Sequence, residues 1–203
     1  MPQETPSQTA GPYVHIGLAP KAAGIDVRRD ARAHVPAGPN AAGTRIRLEG
    51  VVLDGTGALV RDALIELWQA DAHGRYHHPE DRQDGPSDPS FTGFGRAAAD
   101  FESGAWAFET VKPGPVPGRH GTAMAPHLNL MIFARGINIH LHTRVYFADE
   151  EAANAQDPVL RLVEPASRRA TLLAERVGEE GGVVVYRFTV RLQGERETVF
   201  FDV

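Results

Sequence analysis

The chain has 203 residues, 42% of them hydrophobic and 23% charged, with a formal net charge of −5. That length and apolar fraction suffice for one buried core, and the acidic balance argues against nucleic acid or an anionic membrane surface as a partner. No cysteine is present, which excludes disulfides, thiolate metal sites and cysteine nucleophiles together.

The N-terminus, Met1-Pro2-Gln3-Glu4-Thr5-Pro6, has no basic start and no apolar run, so no signal peptide is expected. No segment approaches membrane-spanning length, and a soluble cytoplasmic protein is the expectation. Residues 1–43 are rich in Pro, Gly, Ala and Ser, and only Tyr13-Val14-His15-Ile16 resembles a short strand. Such composition reads as a disordered tail or as an arm that packs on another subunit. Pro12, Tyr13 and Ile16 are unlike a solvated tail and favour the arm. From Thr44 the pattern becomes strand-like. Residues 45–52 alternate, Asp54-Gly55-Thr56-Gly57 supplies turn chemistry, and Ala63–Trp68 forms the next strand, so the stretch predicts a hairpin. Residues 73–92 are polar with several prolines and predict a long, functional or mobile loop. Short strands are expected around 96–101, 105–110, 128–134 and 138–147. Acidic residues open a helix over 149–155, and Pro165 opens a second running through Arg176. Residues 183–192 and 197–203 close the chain as strands. Many strands and few helices predict an all-β fold, a β-sandwich core over 44–203 with an extended N-terminal arm and a few short helices.

Four short motifs mark this domain: Glu66-Leu67-Trp68-Gln69-Ala70, Gly74-Arg75-Tyr76, Lys112-Pro113-Gly114-Pro115 and Pro126-His127-Leu128-Asn129. The third alone is only a rigid turn, with φ fixed by proline and a tight bend allowed by glycine. In order and spacing together they resemble the intradiol ring-cleaving dioxygenases, most closely the protocatechuate 3,4-dioxygenase group, over most of residues 44–203. In the iron-bearing chains of that family, ferric iron is held by two tyrosines and two histidines. Tyr76 matches the first tyrosine, but Val116 stands at the second. His127 matches the first histidine, but Asn129 stands at the second. Met124 stands where those chains carry an arginine that stabilises the substrate as it ketonises. Ferric iron favours hard oxygen and nitrogen donors; valine has no lone pair, and an amide carbonyl is a weak, neutral substitute.

The resemblance therefore implies a chain with no complete catalytic site and no metal of its own. Fe(III) would be bound by a homologous β subunit, the two forming αβ units in a larger oligomer. That complex would cleave protocatechuate with O₂ to 3-carboxy-cis,cis-muconate, both oxygen atoms being incorporated. Residues 5–13 and Phe133-Ala134-Arg135-Gly136-Ile137-Asn138 are similar to signatures of the iron-free chains in that group, which implies that Thr9, Gly11, Pro12 and Arg135 line the partner's substrate cleft. An arginine there suits a substrate carboxylate; an intersubunit salt bridge is the plainer reading of Arg135. Tyr76 also reads as an amphipathic packing residue and His127 as a hydrogen-bonded core or cleft histidine. His127 and Asn129 share a strand face and are expected to hydrogen-bond each other. Ile139-His140-Leu141-His142 is a literal His-x-His, but misplaced for the family's ligand pair; a satisfied polar face or a subunit contact is expected. His77 and His78 are expected to be exposed. The rival readings are a self-sufficient homo-oligomeric dioxygenase with altered ligands and a non-catalytic binding module of transthyretin-like or carbohydrate-binding type.

Overall fold

The computed structural model describes residues 8–11, 13–26, 34–85, 87–118 and 121–202, with the side chains of His15 and Ala22 left aside. Ten strands form the body: β1 (Arg45–Leu53), β2 (Leu64–Gln69), β3 (Phe94–Ala98), β4 (Ala105–Val111), β5 (Val116–Pro117), β6 (Ala123–Met124), β7 (His127–Phe133), β8 (Leu141–Phe147), β9 (Leu173–Glu180) and β10 (Val183–Arg191). Eight run in the order β3-β2-β7-β8-β9-β10-β1-β4, while β5 and β6 form a small separate ladder. The two halves of the large sheet fold over each other, joined where β9 runs parallel to β8 over Leu173 and Ala174.

Alternation decides what lies between the halves. Ile46, Leu48 and Val52 of β1, Trp106 and Phe108 of β4, and Tyr186, Phe188 and Val190 of β10 point inward. They meet Ile65 and Leu67 of β2, Leu128, Leu130 and Ile132 of β7, and Val145 and Phe147 of β8. This apolar layer supplies most of the stabilisation of the fold, at about 25 cal/mol per Å² removed from water. The all-β fold matches the sequence expectation, with short helices only: α1 (Val14–Leu18), α2 (Glu151–Gln156) and α3 (Pro158–Leu162).

Several local expectations fail for identifiable reasons. The turn at Asp54 forms, with Thr56 and Ala58 amides donating to its carboxylate at 2.8 and 3.0 Å, but β1 and β2 do not pair as a hairpin. The chain folds back on β1 only as far as Val60; β1 then pairs with β10 and β4, and β2 with β3 and β7. Residues 13–16 do not form a strand: Val14–Leu18 is a helical turn, started by the Val14 amide donating to Gly11 at 3.1 Å. The expected helix through Arg176 stops as a 3₁₀ turn at Leu172, and Leu173–Glu180 is a strand. Six of the eight residues of β9 are exposed, so no apolar alternation announces it. Among its described residues, 197–202, the closing segment makes only an isolated β-bridge, Phe201 to His142. The β8 strand begins late because Ile139 has φ 61°. Among the described residues no helix is long and apolar enough to cross a membrane.

Candidate functional site

The motif glycines explain how the site is assembled. Gly74 has φ 78°, and a Cβ there would lie 2.0 Å from the Pro115 carbonyl oxygen; one at Gly114 would lie 2.6 Å from that of Ala72. The Gly-Arg-Tyr and Lys-Pro-Gly-Pro turns thus meet backbone to backbone, with the Gly114 amide donating to Asp71 at 2.9 Å. Asp71 is buried, and its carboxylate also accepts from the His73 and Arg75 amides at 2.8 and 3.0 Å. This contact sets Tyr76 and Val116 over the outer face of the β2-β7-β8 sheet.

Register fixes the rest of the floor. Trp68, Asn129 and Arg144 lie across from one another on β2, β7 and β8, and His127 pairs with Tyr146 one row away. Tyr76 stacks on Trp68 with ring centroids 5.9 Å apart and 11° between planes. Val116 pairs with Met124 across the small ladder, and the Met124 sulfur lies 3.4 Å from Nη1 of Arg144. Tyr76, Val116, Met124, His127 and Asn129, the positions expected from the motifs, therefore lie in one neighbourhood. A cleft of about 510 Å³ reaches two of them, Tyr76 and Val116, and is also lined by Trp68, His78, Asp81 and Pro117.

Sequence reasoning missed Arg144. It enters from β8 and reaches the middle of this group: its Nη1 donates to the Tyr146 hydroxyl at 3.3 Å, and its guanidinium lies 6.0 Å from the Phe201 ring centre. Among the described residues no carboxylate lies within ion-pair distance of it. Its only sequence signal is alternation, which puts His142, Arg144 and Tyr146 on one face of a strand; without the register nothing ties that face to Tyr76 and His127.

The protonation chemistry follows. Burial lowers the His127 pKa to about 4, and the Arg144 charge pushes the same way. Its Nδ1 lies 2.7 Å from the Ala125 carbonyl oxygen; a carbonyl only accepts, so the neutral ring carries its proton on Nδ1 and leaves a lone pair on Nε2. That Nε2 is buried with no hydrogen-bond partner among the described residues. Burial also raises the Tyr76 phenol above its ordinary value, against the opposing effects of Arg144 and a hydrogen bond with Asn129. The Tyr146 hydroxyl is raised too, by burial first. Asn129 does not bond His127, contrary to the expected pair; its Nδ2 donates to the Trp68 carbonyl at 3.3 Å.

These residues do not fit ferric iron. The position offers a phenol that resists ionisation, valine methyls, an amide turned to the backbone and a fixed guanidinium. Among the described residues no group of three or more His, Asp or Glu is placed to hold a metal. The His140/His142 pair makes no such centre: His140 packs on Phe133 and precedes β8, while His142 packs on Phe201. His77 and His78 are exposed.

Thr9 and Arg135 come together far from the chain order. The Thr9 hydroxyl accepts from the Gly136 amide at 3.1 Å, and Thr9 bridges Asn138. Arg135 reaches Asp62 within the chain, Nε to Oδ2 at 3.0 Å, with its side chain two-thirds exposed. Gly11 is exposed beside them in sequence, and Pro12 lies outside the described residues.

Comparison with known proteins gives one answer. Residues 23–194 match the family described as Dioxygenase. A protocatechuate 3,4-dioxygenase alpha chain of Pseudomonas putida is 54% identical over 199 residues, covering 98% of this chain and 96% of that one. A beta chain of the same enzyme from Burkholderia cepacia is 38% identical over 160 residues, 77% of this chain and 67% of that one. The solved intradiol ring-cleavage dioxygenase of Tetranychus urticae superposes with a TM-score of 0.59 at 17% identity, covering 82% of this chain and 89% of that one.

Proposed function

The chain belongs to the intradiol ring-cleavage dioxygenase family, and from that premise we propose that it completes the substrate cleft of an iron-carrying partner. It is an α-type chain with no complete metal cluster among the described residues. The partner would be a homologous β subunit, the two forming αβ units of a larger cytoplasmic oligomer. The substrate would be protocatechuate, opened between its hydroxyl-bearing carbons with O₂ to 3-carboxy-cis,cis-muconate. Fe(III) would sit on the partner, where it would activate the bound catechol toward O₂.

The observation that carries this reading is the site itself. Tyr76, Val116, His127 and Asn129, read from motif order as the degenerate ligand positions, lie in one neighbourhood, and valine, an amide and the nearby Arg144 guanidinium are a poor donor set for iron, which supports the reading. What remains for the chain's own residues is binding and shape. Thr9 bonds the turn that presents Arg135, so residues 125 or more positions apart form one exposed surface. That supports the reading in which Thr9, Gly11, Pro12 and Arg135 face the partner's cleft, where Arg135 would meet the substrate carboxylate. Residues 1–43 would act as a packing arm beside the 44–203 domain; Tyr13 and Ile16, exposed on it, suit that role.

The test is iron content and visible absorption of the chain alone and with a β-type partner. A colourless, iron-free chain that joins a coloured, active complex is expected. Tyrosinate-to-iron colour and ring cleavage from the lone chain would overturn the reading.

A further inference from the structure

We propose that a basic pocket at the β9–β10 corner binds the phosphate group of a small molecule. It shares no lining residue with the cleft at Tyr76. Its floor follows from alternation along β10: Phe188 and Val190 point into the core, so Arg187, Thr189 and Arg191 stand in one row on the outer side. The next turn adds a further cation. The Arg191 amide donates to the Thr198 hydroxyl and the Thr198 amide to the Arg191 carbonyl, both at 2.9 Å, which closes residues 192–197 into a loop. A turn within it, with the Glu197 amide donating to Gly194 at 3.0 Å, carries Arg196. Thr171 is fixed in the wall, its hydroxyl donating to the Arg168 carbonyl at 2.8 Å and accepting from the Val199 amide at 3.2 Å. Together with Glu175 these residues line a pocket of about 210 Å³.

Charge and hydrogen-bonding capacity select the ligand. The chain is acidic overall, at −5, yet three guanidiniums meet here against the single carboxylate of Glu175. Arg187 shares Glu49 with Arg47, at 2.9 and 3.4 Å. Among the described residues the side chains of Arg191 and Arg196 have neither a hydrogen bond nor an ion pair, and the Thr189 hydroxyl has no hydrogen bond. Glu175 stands across from Arg187 on β9 but is within ion-pair distance of none of the three. Like charges held together without a counter-ion repel, so an anion relieves a cost already present in the fold, whereas a metal cation would add to it. A lone carboxylate is satisfied by one guanidinium fork and leaves the others unmatched. A phosphate group brings nearly two negative charges and three acceptor oxygens aimed in different directions. That matches guanidiniums arriving from the strand row and from the loop, with the Thr189 hydroxyl between them. Nothing in this assignment depends on the proposed role beside an iron-carrying partner.

The experiment is calorimetric titration of the full-length chain, in a phosphate-free buffer at fixed ionic strength, with inorganic phosphate, glycerol 3-phosphate and acetate. One phosphate per chain is expected, bound about tenfold or more tighter than acetate. Affinity should fall about fivefold or more in each of Arg191→Gln and Arg196→Gln. Glu175→Gln, which removes the opposing charge, should raise it. Glycerol 3-phosphate binding as tightly as inorganic phosphate, or more so, would support the site and assign it to a phosphate ester; binding of inorganic phosphate alone would support it and assign it to the free ion. Absence of saturable binding at low-millimolar phosphate would overturn the proposal. So would equal affinity for phosphate and acetate, a comparison that needs no variant. Unchanged phosphate affinity in folded Arg191→Gln and Arg196→Gln chains would do the same.

Discussion

Strand β7 belongs to two regions at once, and their contrast says how this chain keeps its fold without a metal site. Leu128, Leu130 and Ile132 point between the sheets and are fully buried; His127, Asn129 and Met131 alternate with them on the outer face. The inward face is held by area removed from water, which any well-packed apolar set supplies. The outward face is held by particular partners: the Ala125 carbonyl for His127, the Trp68 carbonyl for Asn129. Of the positions expected to match ligands, His127 and Asn129 sit on the second kind of face, Tyr76 on a loop and Val116 on the small β5–β6 ladder above it. Replacing them changes chemistry while leaving the cohesion between the sheets untouched.

The largest effect should come from breaking the inward face. Leu130→Ala should destabilise by about 2–5 kcal/mol in denaturant unfolding, because the removed side chain leaves a cavity among wholly buried neighbours. Asn129→Ala, its outward neighbour, should cost under about 1 kcal/mol. Similar costs at the two positions would mean that the outward face also bears the fold. A second test comes from pH. The His127 pKa is lowered to about 4 in the fold, whereas the unfolded imidazole titrates near 6.5. The unfolded chain therefore binds the extra proton first as pH falls. Stability from this group is fully present above about pH 6.5 and is lost progressively down to about pH 4, by roughly 3 kcal/mol. In His127→Phe the stability curve should be flatter across that window; an identical slope would mean that His127 does not titrate as its burial requires.

How much of this was legible in the sequence follows the same division. Alternation in residues 45–52 and 183–192 exposes the inward face directly, since each second residue must avoid water. β9 was invisible because six of its eight side chains are solvent-facing, so it carries no apolar period. The β1–β2 hairpin was misjudged because a sound local turn at Asp54 says nothing about which sheet the chain enters next. On the outward face, Tyr76, Val116, His127 and Asn129 were found from motif order. Arg144 was not, because its place there depends on the pairing of β8 with β7, a long-range register that no local pattern encodes.

The turn contact that delivers Tyr76 to the outer face gives a smaller, local test. Gly74→Ala must hold φ 78° and bring a Cβ within 2.0 Å of the Pro115 oxygen. A cost of about 1–3 kcal/mol is expected from the strained φ and the displaced backbone. The loss should be accompanied by weaker Trp68–Tyr76 coupling in near-ultraviolet circular dichroism. Gly57→Ala is the control: Gly57 also has positive φ, at 85°, but a Cβ there meets nothing within 4 Å. A Gly57→Ala cost as large as that at Gly74 would assign the effect to φ alone rather than to the meeting of the two motif turns.

The last comparison concerns charge on the outward face, where the expected change in stability is smallest and the change in chemistry most informative. Val116→Tyr with Asn129→His supplies a tyrosine and a histidine beside Tyr76 and His127, at the positions where the proposed reading expects the missing ligands. If absent ligands were the whole reason for the lost metal, that double variant would take up ferric iron and show tyrosinate colour. The structure adds a second obstacle, since Arg144 places a fixed positive charge against Tyr76, His127 and Tyr146. Like charges in a partly desolvated pocket repel far more strongly than in water. The double variant is therefore expected to remain colourless with added Fe(III). Adding Arg144→Gln should allow binding, read as visible absorption and one iron per chain. Colour in the double variant would show that Arg144 swings aside at little cost and that the ligand substitutions alone account for the loss. Iron uptake that appears only in the triple variant would instead identify the guanidinium as a resident countermeasure, placed by β8 on the face where fold stability does not oppose it.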